Sequence, residues 1–243
     1  MANSRKSKPS RAASAAASAP VSLLSLVDRR LRDAAAGGRL VAALSGGIDS
    51  VVLLDILDRL AGRRGFRLGA LHVNHQISPN ARRWEAFCRA LCRQRGIALR
   101  VVRAQVRRGN SLEAAAREAR YAAFQQARAD SVVLAHNRDD QAETVLLQLL
   151  RGGGLRGAAG MPLARQAARA PAGGARQRPA APRILRPLLE APRSAIERYA
   201  RRRGLSWIED ESNDDTHFAR NFVRQEVLPL IARRFPSCGA VLA

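Results

Sequence analysis

What constrains this chain most is an alternation of short apolar runs with helix-length segments across residues 39 to 150. The runs at 39–44, 66–73, 97–102 and 131–135 have strand length, and the stretches at 49–60, 81–95, 111–129 and 139–150 have helix length. Residues 21–36 add a helix ahead of the first strand. Consecutive strands separated by whole helices cannot pair as hairpins. They lie parallel and are joined by right-handed crossovers, which gives an α/β fold with a doubly wound parallel sheet. In such a sheet ligands gather beyond the carboxyl ends of the strands. The segments that follow strand ends are therefore where chemistry is expected.

Directly after Leu40-Val41-Ala42-Ala43-Leu44 comes Ser45-Gly46-Gly47-Ile48-Asp49-Ser50, which opens the apolar stretch Val51 to Leu60. Strand, Gly-Gly turn and helix start form an anion-binding arrangement. Glycines tolerate positive φ and close backbone approach, and the free N–H groups of a helix N-terminus favour negative charge. Ser45 and Ser50 add hydroxyls, and Asp49 adds a carboxylate able to act through a metal ion. No Gly-Lys-Ser/Thr follows, so this is not a Walker loop. The hexapeptide resembles the SGGxDS signature of PP-loop ATP pyrophosphatases, which cleave ATP between the α- and β-phosphates and adenylate a substrate. Two further segments, His72–His75 and His136–Asp140, also follow strand ends, so three separated pieces of sequence converge on one rim.

The chain has 243 residues, enough for one sizeable domain with appendages, and carries 42 Lys and Arg against 20 Asp and Glu, a net charge of +22. That surplus points to a polyanionic partner, most simply a nucleic acid. A genomic bias toward Arg and Ala supplies part of it. The basic residues are spread along the chain rather than gathered on one amphipathic helix, which weakens a membrane-surface reading. No apolar run reaches the ~20 residues needed to span a bilayer. Cys88, Cys92 and Cys238 form no C-x-x-C or zinc pattern, and buried or partly buried thiols in a reducing cytoplasm are expected.

Residues 1–20 are basic, acid-free and almost devoid of large apolar side chains, so a disordered tail is expected. An Arg/Ser-rich leader also resembles a transit peptide, but the apolar face of an amphipathic helix is missing. Residues 21–190 make up the nucleotide-binding domain, with a low-complexity basic stretch at 164–182 expected as a mobile loop. Residues 191–243 read as a small helical C-terminal extension, with helices near 193–203 and 218–234 on either side of the acidic run Glu209–Asp215.

Three carboxylates, Asp139, Asp140 and Glu143, sit in the first turns of a helix. Asp139 and Glu143 share a face. Acids there also cap helices and complement the dipole, so capping is the competing explanation. Mg²⁺ beside a triphosphate takes one or two carboxylates together with phosphate oxygens, which suits such a group. Glu113, Arg117, Arg120 and Phe124 fall at helical spacing, as either a solvated Glu–Arg pair or a phosphate grip from Arg117 or Arg120. His75 is a nucleotide-contact candidate, with a purely structural role as the alternative. His72 and His75 lack a third ligand at metal spacing.

Together these segments resemble one family, the tRNA(Ile)-lysidine synthases. The resemblance runs in order from Leu44–Ser50 through His72–Ala81, Ser111–Arg117, Arg120-Tyr121, Ala135–Thr144, Arg151-Gly152 and Asp210–Asn213 to Arg220–Arg224. It implies ATP-dependent ligation of lysine to the wobble cytidine of a CAU-anticodon isoleucine tRNA. The base would first be adenylated at its 2-carbonyl oxygen, and the lysine amine would then expel AMP to give lysidine. On this resemblance Ser45, Gly46, Gly47, Ile48, Asp49 and Ser50 hold ATP, with His75 and Arg117 as further nucleotide contacts. Asp49 lies near the metal or the α-phosphate. Asp139, Asp140 and Glu143 bind Mg²⁺ or the lysine ammonium, with Asp49 and Asp139 as the metal candidates. Arg220 and Arg224 stabilise phosphate charge or grip the tRNA. The partners implied are tRNA(Ile) and free L-lysine, in the cytoplasm and without a membrane. Whether the chain forms a homodimer is left open.

Two departures from the family pattern stand out. Asn74 and Asn137 occupy positions where members often carry histidine, and Asn cannot carry a proton, so neither is expected as a general base. The chain also stops at Ala243, where longer members continue into tRNA-gripping domains, which leaves a fragment, a short form or a decayed product as alternatives. The rival readings are a tRNA 2-thiocytidine synthase-like enzyme, which the missing C-x-x-C opposes, and a small-molecule amide-forming synthetase, which leaves the Arg surplus unexplained. A non-catalytic RNA-binding remnant is the third, and the intact loop and Asp139–Thr144 oppose it.

Overall fold

The computed structural model describes residues 22–32, 37–104, 112–167 and 181–243. The basic tail read at 1–20 and most of the loop read at 164–182 lie outside the described residues. Five strands form a parallel sheet: β1 (Arg39–Ala43), β2 (Arg67–Asn74), β3 (Ala98–Arg103), β4 (Ser131–Val133) and β6 (Arg183–Leu185). β5 (Ala164–Gln166) adds an antiparallel edge, pairing Arg165 with Ile184, and the spatial order is β3-β2-β1-β4-β6-β5. Residues 164–166, expected in a loop, are thus a short edge strand. Every side chain in it is exposed, so no apolar alternation marked it in the sequence.

The strands sort their side chains by the two-residue period of β structure. Leu40, Ala42, Ala70, Val133 and Leu185 enter one core, while Val41, Leu71, Val132, Leu134 and Ile184 enter the other. The first core is covered by α1 (Leu23–Arg30), α2 (Ile48–Arg64), α3 (Ala81–Gln94) and α7 (Arg193–Arg202). The second is closed by α4 (Leu112–Gln125) through Ala123 and Phe124. α5 (Arg138–Leu150) follows β4, and the short helix α6 (Gly154–Ala158) follows α5. α2 runs through the middle of the first core, with Val51 to Leu57 all buried, which explains why its sequence is apolar on every side.

α7 corrects the division expected at residue 191. Its Ile196, Tyr199 and Ala200 are buried in the same core as α2, so α7 belongs to the main domain. Asp55, 1% exposed on α2, makes the join specific. It accepts from the Tyr199 hydroxyl (2.7 Å), Arg95 Nη1 (3.0 Å) and Arg203 Nε (3.4 Å). Burial pushes the Asp55 carboxyl up, and these three donors outweigh it, leaving the group below its ordinary range.

The C-terminal region holds a 3₁₀ turn (Glu211–Asp214) and α8 (Ala219–Phe222), then a π-helical turn (Val223–Val227), α9 (Leu228–Arg234) and α10 (Cys238–Leu242). The helix read at 218–234 is therefore one continuous rod with a π turn inside it. Such turns often accompany functional sites. Because β2 and β3 lie on one side of β1 and β4 lies on the other, the chain changes direction between β1 and β4. The loops leaving those two strands face one crevice.

Candidate active site

Ser45–Ser50 leaves β1 as a turn knotted around one hydroxyl. Ser50 Oγ accepts from the backbone N–H of Ser45 and of Gly46, each at 3.2 Å, and donates to the Gly47 carbonyl at 2.9 Å. Ser45 Oγ accepts from the N–H of Gly47 at 3.3 Å. Gly46 has φ +97°, and a Cβ there would stand 2.8 Å from Ile208 Cδ1, so conformation and space both demand glycine. Ile208 also donates its N–H to the Gly46 carbonyl at 2.9 Å, so the segment after α7 braces the turn from outside. Gly47 is the N-cap of α2, and the orphan N–H groups of that 17-residue helix point out of its start.

The second loop, after β4, is built on a capping box. The Asn137 side chain accepts from the Asp140 N–H (3.0 Å), and Asp140 Oδ2 accepts from the Asn137 N–H (2.9 Å). The Asn137 side-chain amide then donates to Asp49 Oδ1 at 3.0 Å, tying the two crevice loops together. Asp139 Oδ2 accepts the N–H of Arg193 at 2.9 Å and so caps α7, while Arg193 Nη1 lies 3.7 Å from Asp49 Oδ2. Both capping and clustering are therefore present: the acids satisfy helix termini and also converge on Asp49.

Glu143, 1% exposed, is clamped by two guanidiniums from the C-terminal rod. Arg220 Nε donates to Oε2 at 2.7 Å, and Arg224 donates through Nε to Oε1 at 2.6 Å and through Nη2 to Oε2 at 3.0 Å. Arg220 Nη2 also reaches Asp140 Oδ1 at 3.3 Å. Burial pushes the Asp140 carboxyl above its ordinary range, and although Arg220 pulls it down, Glu143 and Asp49 add repulsion. Asp49 is likewise raised, chiefly by burial. Four carboxylates (Asp49, Asp139, Asp140, Glu143) thus share this corner with three guanidiniums (Arg193, Arg220, Arg224). A corner one positive charge short suits a cationic guest.

On the other side of the β4 loop the charge reverses. Arg117 of α4 and Arg165 of β5 lie over the Tyr121 ring, with guanidinium carbons 5.0 and 4.7 Å from its centroid. Arg186, 1% exposed just past β6, donates to the Tyr121 hydroxyl. Burial raises the Tyr121 hydroxyl, but Arg117, Arg186 and Arg165 outweigh it and leave it below its ordinary range. His75 sits on the β2 rim with its Nδ1 buried and, among the described residues, without a hydrogen-bond partner, and burial, with Arg120 and His72 behind it, holds its pKa down at about 4. His72 instead bonds the Leu44 carbonyl through Nδ1 at 2.8 Å, fixing the strand end before Ser45. Asn74 bonds Glu85 at 3.0 Å and receives the Gln76 N–H at 2.9 Å, a structural task that shapes the turn after β2.

Of the site residues expected from sequence, Asp49, Asp139, Asp140, Glu143, Arg220 and Arg224 are joined by the bonds above next to the Ser45–Ser50 turn, whereas His75 on the β2 rim and Arg117 over Tyr121 take no part in those bonds. Three participants were not expected. Arg193 and Ile208 come from segments with no local motif, and Arg186 is a single charge inside the apolar run Ile184–Leu189. That lone charge was the signal available for Arg186. Among the described residues no group of three His, Cys, Asp or Glu side chains forms a self-sufficient metal cage. The set does fit a Mg²⁺ held mainly by phosphate oxygens, since such an ion takes only one or two protein carboxylates. Cys88 and Cys92 are buried free thiols, pushed up by burial to about 12 and about 11.

Residues 23–231 match the PP-loop domain. This chain belongs to the PP-loop family. It is 48% identical over 217 residues to the tRNA(Ile)-lysidine synthase of Azoarcus sp., covering 88% of this chain and 46% of that protein. The Pseudomonas aeruginosa tRNA(Ile)-lysidine synthase is 47% identical, covering 86% of this chain and 45% of that protein. The Coxiella burnetii one is 40% identical over 83% and 43% respectively. The chain spans less than half the length of these relatives. The same fold is found in the U34-tRNA thiolase NcsA from Methanococcus maripaludis, with a TM-score of 0.70 at 17% identity, over 90% of this chain and 75% of that one.

Proposed function

We propose that this chain catalyses the ATP-dependent ligation of lysine to the wobble cytidine of CAU-anticodon tRNA(Ile), through an adenylated cytidine. The observation that carries this reading is the two-signed crevice. A phosphate-binding turn on Asp49 and Ser50 is flanked by an acidic corner at Asp140 and Glu143 and by a basic wall of the exposed Arg117 and Arg165 over Tyr121, with the buried Arg186 behind it. One substrate is a polyanionic nucleotide and the second is a cationic amino acid, and the two walls match that pair. The similarity to tRNA(Ile)-lysidine synthases at 46–48% identity supports the choice of lysine and cytidine.

In this reading the turn and the start of α2 hold the ATP phosphates. Asp49 and Asp139, linked through Arg193, would hold a Mg²⁺, which would supply charge neutralisation at the phosphates. The weakly nucleophilic cytidine O2 attacks the α-phosphate, pyrophosphate leaves, and the basic wall steadies the developing negative charge. The lysine ammonium is received at the acidic corner by Asp140 and Glu143. Asp140, raised by burial, takes a proton from the ammonium, and the neutral amine then attacks C2 of the activated ring as the C2–O bond to AMP breaks and AMP departs. Arg220 and Arg224 keep Glu143 oriented while the ligand exchanges.

The surplus of basic residues, with a net charge of +22, supplies non-specific attraction for tRNA. Among the described residues no helix is long and apolar enough to cross a membrane, and we place the activity in the cytoplasm. The test is to incubate the chain with ATP, Mg²⁺, radiolabelled lysine and CAU-anticodon tRNA(Ile), then count label in the RNA. Incorporation that requires ATP supports the proposal. Pyrophosphate release that depends on the tRNA but leaves no lysine in the RNA would assign the crevice to a different PP-loop reaction.

A further inference from the structure

The basic wall contains a relationship that the ligation chemistry alone does not call for. Arg186 is fully buried, yet among the described residues its three side-chain hydrogen bonds all go to uncharged acceptors: His136 Nδ1 from Nε at 3.1 Å, the Pro162 carbonyl from Nη1 at 2.7 Å, and the Tyr121 hydroxyl from Nη2 at 3.3 Å. A guanidinium has donors only and stays charged. The nitrogen facing it must therefore offer a lone pair. If His136 Nδ1 is the acceptor, the single proton of a neutral imidazole can reside only on Nε2, and a second proton would set N–H against N–H.

We propose that Arg186 is a positioning residue that fixes His136 as a neutral imidazole protonated at Nε2, so that His136 works as an N–H donor at the crevice rather than as a proton acceptor. Three features hold it there. The Arg186 side chain is itself locked from β6 by the Pro162 and Tyr121 bonds. Among the described residues, the charged groups that act most strongly on His136 are Arg186 beyond β6, Arg220 of α8, and Arg117 and Arg120 of α4, and each of these opposes a further positive charge. His136 immediately precedes Asn137, whose capping box with Asp140 meets Asp49, so the ring is held on the loop that builds the crevice. Burial and these arginines hold the imidazole well below its ordinary range.

Taken with the proposed ligation, on which this consequence rests, the proton leaving the lysine ammonium does not go to His136. A neutral N–H donor there suits a carbonyl or phosphate oxygen. Asp140, raised by burial, is the nearer kind of acceptor.

The experiment is ¹⁵N NMR of the full chain labelled at histidine, without ATP or RNA. The chain has only four histidines, and the His136 signals are identified by their loss in His136→Gln. The expected result is a protonated Nε2 and an unprotonated Nδ1, unchanged as the pH falls from about 8 through about 6.5, the ordinary imidazole midpoint. In Arg186→Gln the His136 signals should move toward tautomer averaging, with a midpoint shifted up toward ~6.5. Arg186→Lys, which keeps charge and a donor, should restore part of the wild-type pattern. A proton on Nδ1, or a wild-type midpoint near 6.5, would overturn the proposal. If Arg186→Gln does not fold, the wild-type titration decides alone. Because no substrate is present, a chain that fails to ligate lysine can still show the fixed tautomer, so the two proposals fail separately.

Discussion

Asn137 donates its side-chain amide to Asp49 at 3.0 Å, joining residues 88 positions apart across the point where the sheet reverses its winding. The same side chain caps α5 through the Asp140 N–H. One amide thus sets both the start of a helix and the direction of the carboxylate on the phosphate-binding turn. Replacing it with alanine removes both bonds. We expect Asn137→Ala to lower the unfolding free energy by about 1–2 kcal/mol, measured by urea denaturation, and to weaken ATP binding. Unchanged ATP affinity would show that Asp49 needs no orientation from this partner.

Gly46 is required on two counts, and they can be separated. Gly46→Ala should cost about 1–3 kcal/mol for the left-handed backbone, plus the clash with Ile208, and abolish nucleotide binding by calorimetry. Adding Ile208→Ala relieves the 2.8 Å contact but not the φ of +97°. The double variant should recover stability in part while still binding poorly. Full recovery would mean that backbone conformation is not the constraint.

Glu143 is buried between two cations, so its loss exposes an imbalance rather than merely deleting a contact. Glu143→Gln should destabilise the fold by about 3 kcal/mol in thermal unfolding and halt lysine incorporation. Near-wild-type stability would demote the clamp to an incidental contact. Asp139→Ala, by contrast, forfeits only a helix cap, worth about 1 kcal/mol, and should remove product formation with the fold intact. Near-normal turnover would rule out its metal role.

His75 gives a pH signature. Its pKa is held at about 4 in the folded chain against 6.5 for the free group. Between those values the unfolded chain binds more protons, so stability falls as pH drops from 6.5 toward 4. In His75→Gln that decline should be shallower when unfolding is followed across the same window. An identical slope would mean that His75 titrates normally.

Much of the architecture was legible because two-residue and helical periodicities are local properties. β1 to β4 and the helices between them lie within a few residues of where the apolar pattern set them. β5 was not legible, because Ala164-Arg165-Gln166 is exposed and owes its strand conformation to pairing with β6. α7 was misassigned to an appendage because its buried stripe does not reveal which core receives it. In the crevice, Ser45–Ser50 and Asp139–Glu143 were readable as compact motifs. Arg193, Ile208 and Arg186 were not, since their contacts arise only when distant segments pack.

The Glu143 clamp also bears on how this protein tolerates shortening. Both guanidiniums come from the rod at Arg220 and Arg224, far along the chain from the helix they neutralise. A chain cut before α8 would keep every strand of the sheet and the whole phosphate-binding turn. It would also strip Glu143 of both guanidiniums and α5 of the rod packed against it, opening that carboxylate to water. The acidic corner is thus shared between two distant stretches of the chain, and a shortened version that keeps it has to extend through Arg224.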